Sequence, residues 1–185
     1  MSSKTSPEAG QSDFLNVCRN CGIDCCNGAR PPLTAKRKKL IRSFLEANGW
    51  FASNPFEGRE YAFPRETQTG YCIFFDKDSA KCQVHPVKPE TCVAGPITFD
   101  INVKTGKIEW FLKMERICLL AGILNQDKAA LEKHMESAKR EILSLVRDLD
   151  PLALRTILTI KEPDTFKIDE DDLDSNVIAK LKHSI

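Results

Sequence analysis

The 185-residue sequence contains no apolar run long enough to cross a bilayer; its longest, Ile117 to Leu124, is well short of the ~20 residues a spanning helix needs. The N-terminus, MSSKTSPEAGQS, is polar and lacks the apolar segment of a secretory signal. Net charge is nearly absent: 27 Lys and Arg stand against 26 Asp and Glu, for a formal +1 at pH 7. That balance argues against a global field for nucleic acid or anionic membranes. Charge is concentrated only locally, in the basic run Lys36-Arg37-Lys38-Lys39 and the acidic run Asp169 to Asp174. No P-loop, HExxH or serine–histidine–acid constellation occurs, and no internal repeat is visible.

Cysteine, by contrast, is abundant. Of eight cysteines, four lie in the nine-residue stretch Cys18-Arg-Asn-Cys21-Gly-Ile-Asp-Cys25-Cys26, and the others are Cys72, Cys82, Cys92 and Cys118. A disulfide framework and a metal site are the two physical explanations. The polar N-terminus leads us to expect a cytoplasmic protein, where thiols stay reduced. The chain is also long enough to build a core without staples, with 42% hydrophobic residues. Both arguments favour metal. As a set, the cysteines do not follow apolar periodicities; the first group sits among Asn20, Gly22, Asp24, Asn27 and Gly28, a turn-rich context in which chain can wrap an ion.

The two-residue gap between Cys18 and Cys21 lets two thiolates reach one ion. Side chains of the adjacent Cys25 and Cys26 diverge, so both on one tetrahedral ion would strain the chain. Zinc and iron–sulfur both take thiolates, but one CxxC, a dense CC and widely spaced partners lean toward an iron–sulfur cluster, taken as [4Fe-4S], with zinc as the alternative. Basic neighbours that would offset thiolate repulsion include Arg19, Arg30, Lys81, Lys88 and Arg116. His85 is a secondary ligand candidate, whereas His134 and His183 read as surface residues.

Cys18-x2-Cys21-x3-Cys25-Cys26, then Gly70-Tyr-Cys72-Ile-Phe, then Lys81-Cys82-Gln-Val-His85-Pro-Val-Lys88-Pro89-Glu-Thr-Cys92, resembles the CxxCxxCC family of YkgJ-type cysteine-cluster proteins, described as zinc- or iron-chelating domains. The resemblance covers about residues 14 to 120. Cys118 resembles the family's later cysteine. The gap before Cys25 is one residue wider than the motif's, and Lys88 stands where arginine is usual. The resemblance implies that all eight cysteines, Cys18, Cys21, Cys25, Cys26, Cys72, Cys82, Cys92 and Cys118, converge as metal ligands. The family also includes longer flagellin-lysine N-methylases, which raises a methyltransferase as an alternative function; the sequence has no glycine-rich strand-to-helix loop for S-adenosylmethionine. A zinc-dependent nucleic-acid module using Lys36 to Lys39 ranks last, and a docking protein is the expected kind of partner.

Local patterns predict the fold. Thr34 caps a helix to about Asn48, closed by Gly49. The aromatics Trp50, Phe51, Phe56, Tyr61 and Phe63 are expected to pack over the metal region. Residues 70–76 and 81–85 read as a strand pair, and residues 97–103 and 107–112 as a hairpin around Lys104-Thr-Gly106. An apolar seam predicts a long helix from Gln126 to Leu149, and Asp150-Pro151 starts another. The acidic run reads as a helix-preceding segment. The expected fold class is α+β, a small irregular metal-centred domain with two β-hairpins, one N-terminal helix and a helical C-terminal part. The expected organisation is a disordered segment 1–12, a cysteine-cluster domain 13–125 and a helical part 126–185.

Overall fold

A computed structural model describes residues 17–18, 21, 25–50, 53–162 and 164–182. The expected disorder of 1–12, Arg19, Phe51 and the surface reading of His183 lie outside the described residues. The fold is α+β. In chain order it comprises α1 (Ala35–Ala47), β1 (Phe56–Glu57), β2 (Phe63–Pro64), β3 (Phe75–Asp76), β4 (Lys81–Cys82), a 3-10 turn (His85–Val87), α2 (Glu90–Ala94), β5 (Ile97–Asn102) and β6 (Lys107–Lys113). It continues with α3 (Leu119–Gln126), α4 (Lys128–Asp148), α5 (Pro151–Leu158), β7 (Thr165–Asp172) and α6 (Ser175–Lys182). Among the described residues, no helix is long and apolar enough to cross a membrane.

The larger core lies between an antiparallel sheet, ordered β5-β6-β7, and the helices. Inward-facing Ile108, Trp110 and Leu112 alternate along β6 and are fully buried. They meet Ala138, Ile142, Leu145 and Val146 of α4, and Ala153, Leu154 and Ile157 of α5. Caps set the helix starts: Asp127 accepts from Ala130 N–H at 3.0 Å, and Asp150 from Ala153 N–H at 2.9 Å. The predicted hairpin forms with Ile97 opposite Leu112 and Asn102 opposite Lys107. Gly106 takes φ +71° in its turn, a conformation glycine adopts without steric cost.

Two of these local readings are corrected here. The acidic run is mostly strand: Asp169 to Asp172 complete β7, which pairs with β6. Cross-strand and helix partners neutralise it, as Lys139 lies 2.7 Å from both Asp169 and Asp171, Lys107 pairs with Glu170, and Trp110 Nε1–H donates to Asp171 at 2.7 Å. A run that repels itself in isolation thus becomes an ion-paired edge strand. Residues 119–126 form a separate helix, α3, because Asp127 leaves the helical conformation and caps α4 anew. His134 is half-buried rather than a surface residue, with Nε2 at 3.0 Å and 3.1 Å from the carbonyl oxygens of Ala94 and Gly95.

The smaller core gathers Leu33, Ile41, Leu45, Phe56, Phe74 and Val84. Phe44, Trp50, Cys72, Cys82 and Val87 pack against it. Phe74 is fully buried, with Trp50 and Phe56 rings 5.8 Å and 6.2 Å away. The strand pair around it is shorter than the pattern suggests. β3 and β4 hold two residues each, and Tyr71 and Cys72 make only isolated bridges, to Asn27 and Glu66. His85 begins the 3-10 turn instead of extending β4.

Because carbonyl oxygens only accept, His134 donates through Nε2–H and ties α4 to the end of α2. Burial holds its pKa below the ordinary imidazole value. With the folded pKa depressed, the unfolded chain takes the proton first as pH falls, so this contribution is present above pH ~6.5 and is lost progressively below it. Urea midpoints at pH 7.5 and 5.5 should therefore differ more for the wild type than for His134→Gln. Equal pH dependence in the two proteins would contradict the assignment.

Candidate metal centre

The first cysteine segment is fastened to the second, around Cys72, by backbone pairing. Cys72 N–H donates to the Cys26 carbonyl at 2.9 Å, and Gly28 N–H to the Gly70 carbonyl at 2.8 Å. Gly70 has φ +80°, and a Cβ there would lie 3.1 Å from Asn27 Oδ1, so the close approach of these strands requires glycine. The exposed Arg30–Glu66 ion pair, at 3.0 Å, adds a link between the same two segments. Cys82 is held opposite Phe75 in the β3–β4 pair. Cys92 lies within α2, and Cys118 immediately precedes α3 while packing on the larger core.

These segments bring the thiols into mutual electrostatic range. Cys25 is coupled to Cys18, Cys82, Cys92 and Cys118, and shares a hydrogen bond with Cys26. Cys26 is coupled to Cys72 and Cys92, and Cys21 to Cys18 and Cys118. Each of the eight thus influences at least one other. Among the described residues, however, no three Cys, His, Asp or Glu side chains are drawn into a ready-made ligand set for one ion. All eight cysteines are free thiols.

Burial is the main cause raising Cys18, Cys82 and Cys118 above the ordinary thiol value, and it pushes Cys72 up to about 11 and Cys92 up to about 12. Neighbouring thiols push the same way, since each thiolate opposes the next. Cys92 is nevertheless exposed on its surface. Cys25 behaves oppositely: the Cys26 hydrogen bond, reinforced by Lys113 and Lys88, lowers it to about 6, while Cys26 retains the proton and is raised. At neutral pH the adjacent pair therefore presents one thiolate and one thiol.

Of the described basic residues near cysteines in sequence, Lys88 is the one that faces the thiols broadly. Its ammonium lowers Cys18, Cys25, Cys82 and Cys92. Arg30 and Arg116 are instead paired with Glu66 and Asp164. Lys113, on β6, escaped sequence reasoning because it is far in the chain from the cysteine it influences; its position in the strand pattern carries no such signal. His85 is partly buried, and burial together with Lys88 lowers its pKa. The basic run is not a uniform solvated face either: Lys36 and Lys39 are exposed, but Arg37 turns inward.

The donor set fits a thiophilic metal in chemistry: several thiols, one already ionised at neutral pH, and an ammonium to offset their charge. Comparison with known proteins bears directly on that fit. Residues 17–119 match the CxxCxxCC family, described as "Putative zinc- or iron-chelating domain". The chain belongs to the CxxCxxCC family. All eight cysteines fall inside the matched region. The chain is also 28% identical over 110 residues to the uncharacterized protein MJ0661 of Methanocaldococcus jannaschii, covering 52% of this chain and 54% of that relative. It therefore spans about half the length of the curated relative it matches. No solved structure matches.

In the reduced, metal-free protein, Cys25 should be the first cysteine alkylated, with a rate midpoint near pH 6 set by its pKa of about 6. Cys26→Ala should move that midpoint up toward the ordinary thiol range, read by mass spectrometry of the labelled peptide across pH 5–9. A midpoint unmoved by the substitution would show that Cys26 does not activate Cys25.

Proposed function

We propose that this chain is a cytoplasmic metal-cluster protein that holds an iron–sulfur cluster, taken as [4Fe-4S], through its clustered cysteines. The observation that carries the reading is the mutual coupling of all eight thiols, drawn from segments as far apart as Cys18 and Cys118. A packing role gives no reason for eight cysteines to meet, and burial alone would favour spacing thiols apart. The proposed ligand pool is Cys18, Cys21, Cys25, Cys26, Cys72, Cys82, Cys92 and Cys118. Iron–sulfur is preferred to zinc because the pool exceeds one tetrahedral ion and does not divide into paired CxxC knuckles.

In this reading a bound cluster supplies either a covalent hub for folding or an electron-transfer centre. The chain's own residues do the rest. The Cys26–Cys72 backbone bond holds the first and second cysteine segments together. Lys88 and Lys113 reduce the cost of thiolates in close quarters. Ligation requires the thiols to give up their protons and draws segments distant in the chain onto one group, which couples binding to folding. A protein docking partner accompanies this reading. Methyl transfer and nucleic-acid binding are the weaker alternatives: the chain has no recognisable S-adenosylmethionine loop, and one residue of its basic run is turned into the structure.

Protein purified without oxygen should be brown and contain iron with acid-labile sulfide. A colourless product with stoichiometric zinc and no sulfide would sink the cluster in favour of zinc. Cys21→Ser and Cys82→Ser should each lower metal content and the melting temperature together. Full metal content and unchanged melting in both variants would remove those two residues from the ligand pool.

A further inference from the structure

Outside the cysteines, one buried charged cluster remains without a role. Arg37, in the first turn of α1, directs a single guanidinium at three acceptors on two other elements. Its Nη1 donates to the Lys88 carbonyl at 3.0 Å, its Nη2 reaches Glu141 on α4, and its Nε lies 3.6 Å from Glu90 Oε1. The same Glu90 oxygen accepts a 2.8 Å hydrogen bond from Thr34, the residue that caps α1. The Glu90 side chain is only 4% exposed and that of Arg37 14%. The second Glu90 oxygen is buried with no hydrogen-bond partner, and the stabilisation this carboxylate has comes from its own backbone N–H, Thr34 and Arg37.

Two of the acceptors, the Lys88 carbonyl and Glu90, belong to one short segment, Lys88-Pro89-Glu90-Thr91-Cys92. At its start is Lys88, the ammonium that faces four of the thiols; at its end is Cys92. From the opposite side, His134 of α4 holds the Ala94 and Gly95 carbonyls that follow. The segment's flanks are packed, Val87 on the smaller core and Ala94 in the larger, and between them Arg37 and Thr34 add the polar contacts. Side chains that orient metal-binding residues from behind are typically worth 10–100-fold in metal affinity.

We propose that Arg37 is a positioning residue for the cysteine centre, fixing the Lys88–Cys92 segment against the other thiols through the Lys88 carbonyl, Glu90 and Glu141. The inference rests on the metal reading above. A guanidinium suits the task because its planar fork serves several acceptors at once, whereas a lysine ammonium at the same place is a compact point charge on a shorter reach. The neighbouring Lys36, exposed and from the same basic run, makes none of these contacts and is the natural control.

The test uses protein purified and loaded anaerobically with ferrous iron and sulfide or with Zn2+, whichever the wild type retains. The variants are Arg37→Ala, Arg37→Lys, Glu141→Gln and Lys36→Ala. Metal release to excess chelator is timed well below the melting temperature, and amide hydrogen exchange is followed in peptides covering 86–96 and β5–β6. Arg37→Ala should release metal 10–100-fold faster and exchange faster in 86–96 alone. Arg37→Lys should rescue only part of the loss, and Lys36→Ala should match wild type. Should Arg37→Ala fail to fold, Glu141→Gln, which removes one partner without stranding the guanidinium, carries the same expectation at smaller size. Release equal to wild type in a folded Arg37 or Glu141 variant overturns the positioning role alone. Faster exchange spread evenly over 86–96 and β5–β6 does so too, by reducing Arg37 to a general stabiliser. A wild type that retains neither metal overturns the metal reading and this inference with it.

Discussion

Eight thiols in one region are an electrostatic problem before they are a site. Each thiolate raises the pKa of the next, and burial raises nearly all of them further. The fold answers in two ways. It keeps most of the cysteines protonated at neutral pH, and it concentrates the ionisation it does allow on Cys25, where Cys26 donates a hydrogen bond and two lysines face it. The arrangement is a stable resting state for thiols, one that a thiophilic cation would change by displacing protons.

The two apolar cores divide the mechanical work. The smaller one, around Phe74, anchors Cys72 and Cys82 through packing and the first cysteine segment through backbone bonds to residues 70–72. The larger one, between the sheet and α4 and α5, anchors Cys118. Cys92 falls between them on α2, which runs against α4. Polar links made by Thr34, Arg37, Glu141 and His134 hold that segment. Thiols far apart in the chain are thus held by packing, by backbone pairing and by buried charge, each at a different place.

Long, regular patterns were legible in the chain. The α4 seam, the β5–β6 hairpin and the caps at Thr34 and Asp150 formed as periodicity and capping chemistry imply. Legibility ended where an element depends on partners distant in sequence. The acidic segment became β7 because Lys107, Lys139 and Trp110 neutralise and pair it, and none of those partners is visible from the run itself. Arg37 likewise reads as one cation among four until Glu90 and Glu141 come beside it, more than fifty residues on in each case.

The sequence alone determined the thiol chemistry: eight cysteines in a spacing that belongs to the CxxCxxCC family, on a chain with almost no net charge. It determined this because residue type and short-range spacing are local properties. Only the tertiary structure decided which thiol ionises first, which lysine faces the cluster and what holds Cys92 in place. Those outcomes depend on burial and on charges brought together across the fold, and Coulomb interactions follow distance in space rather than distance along the chain.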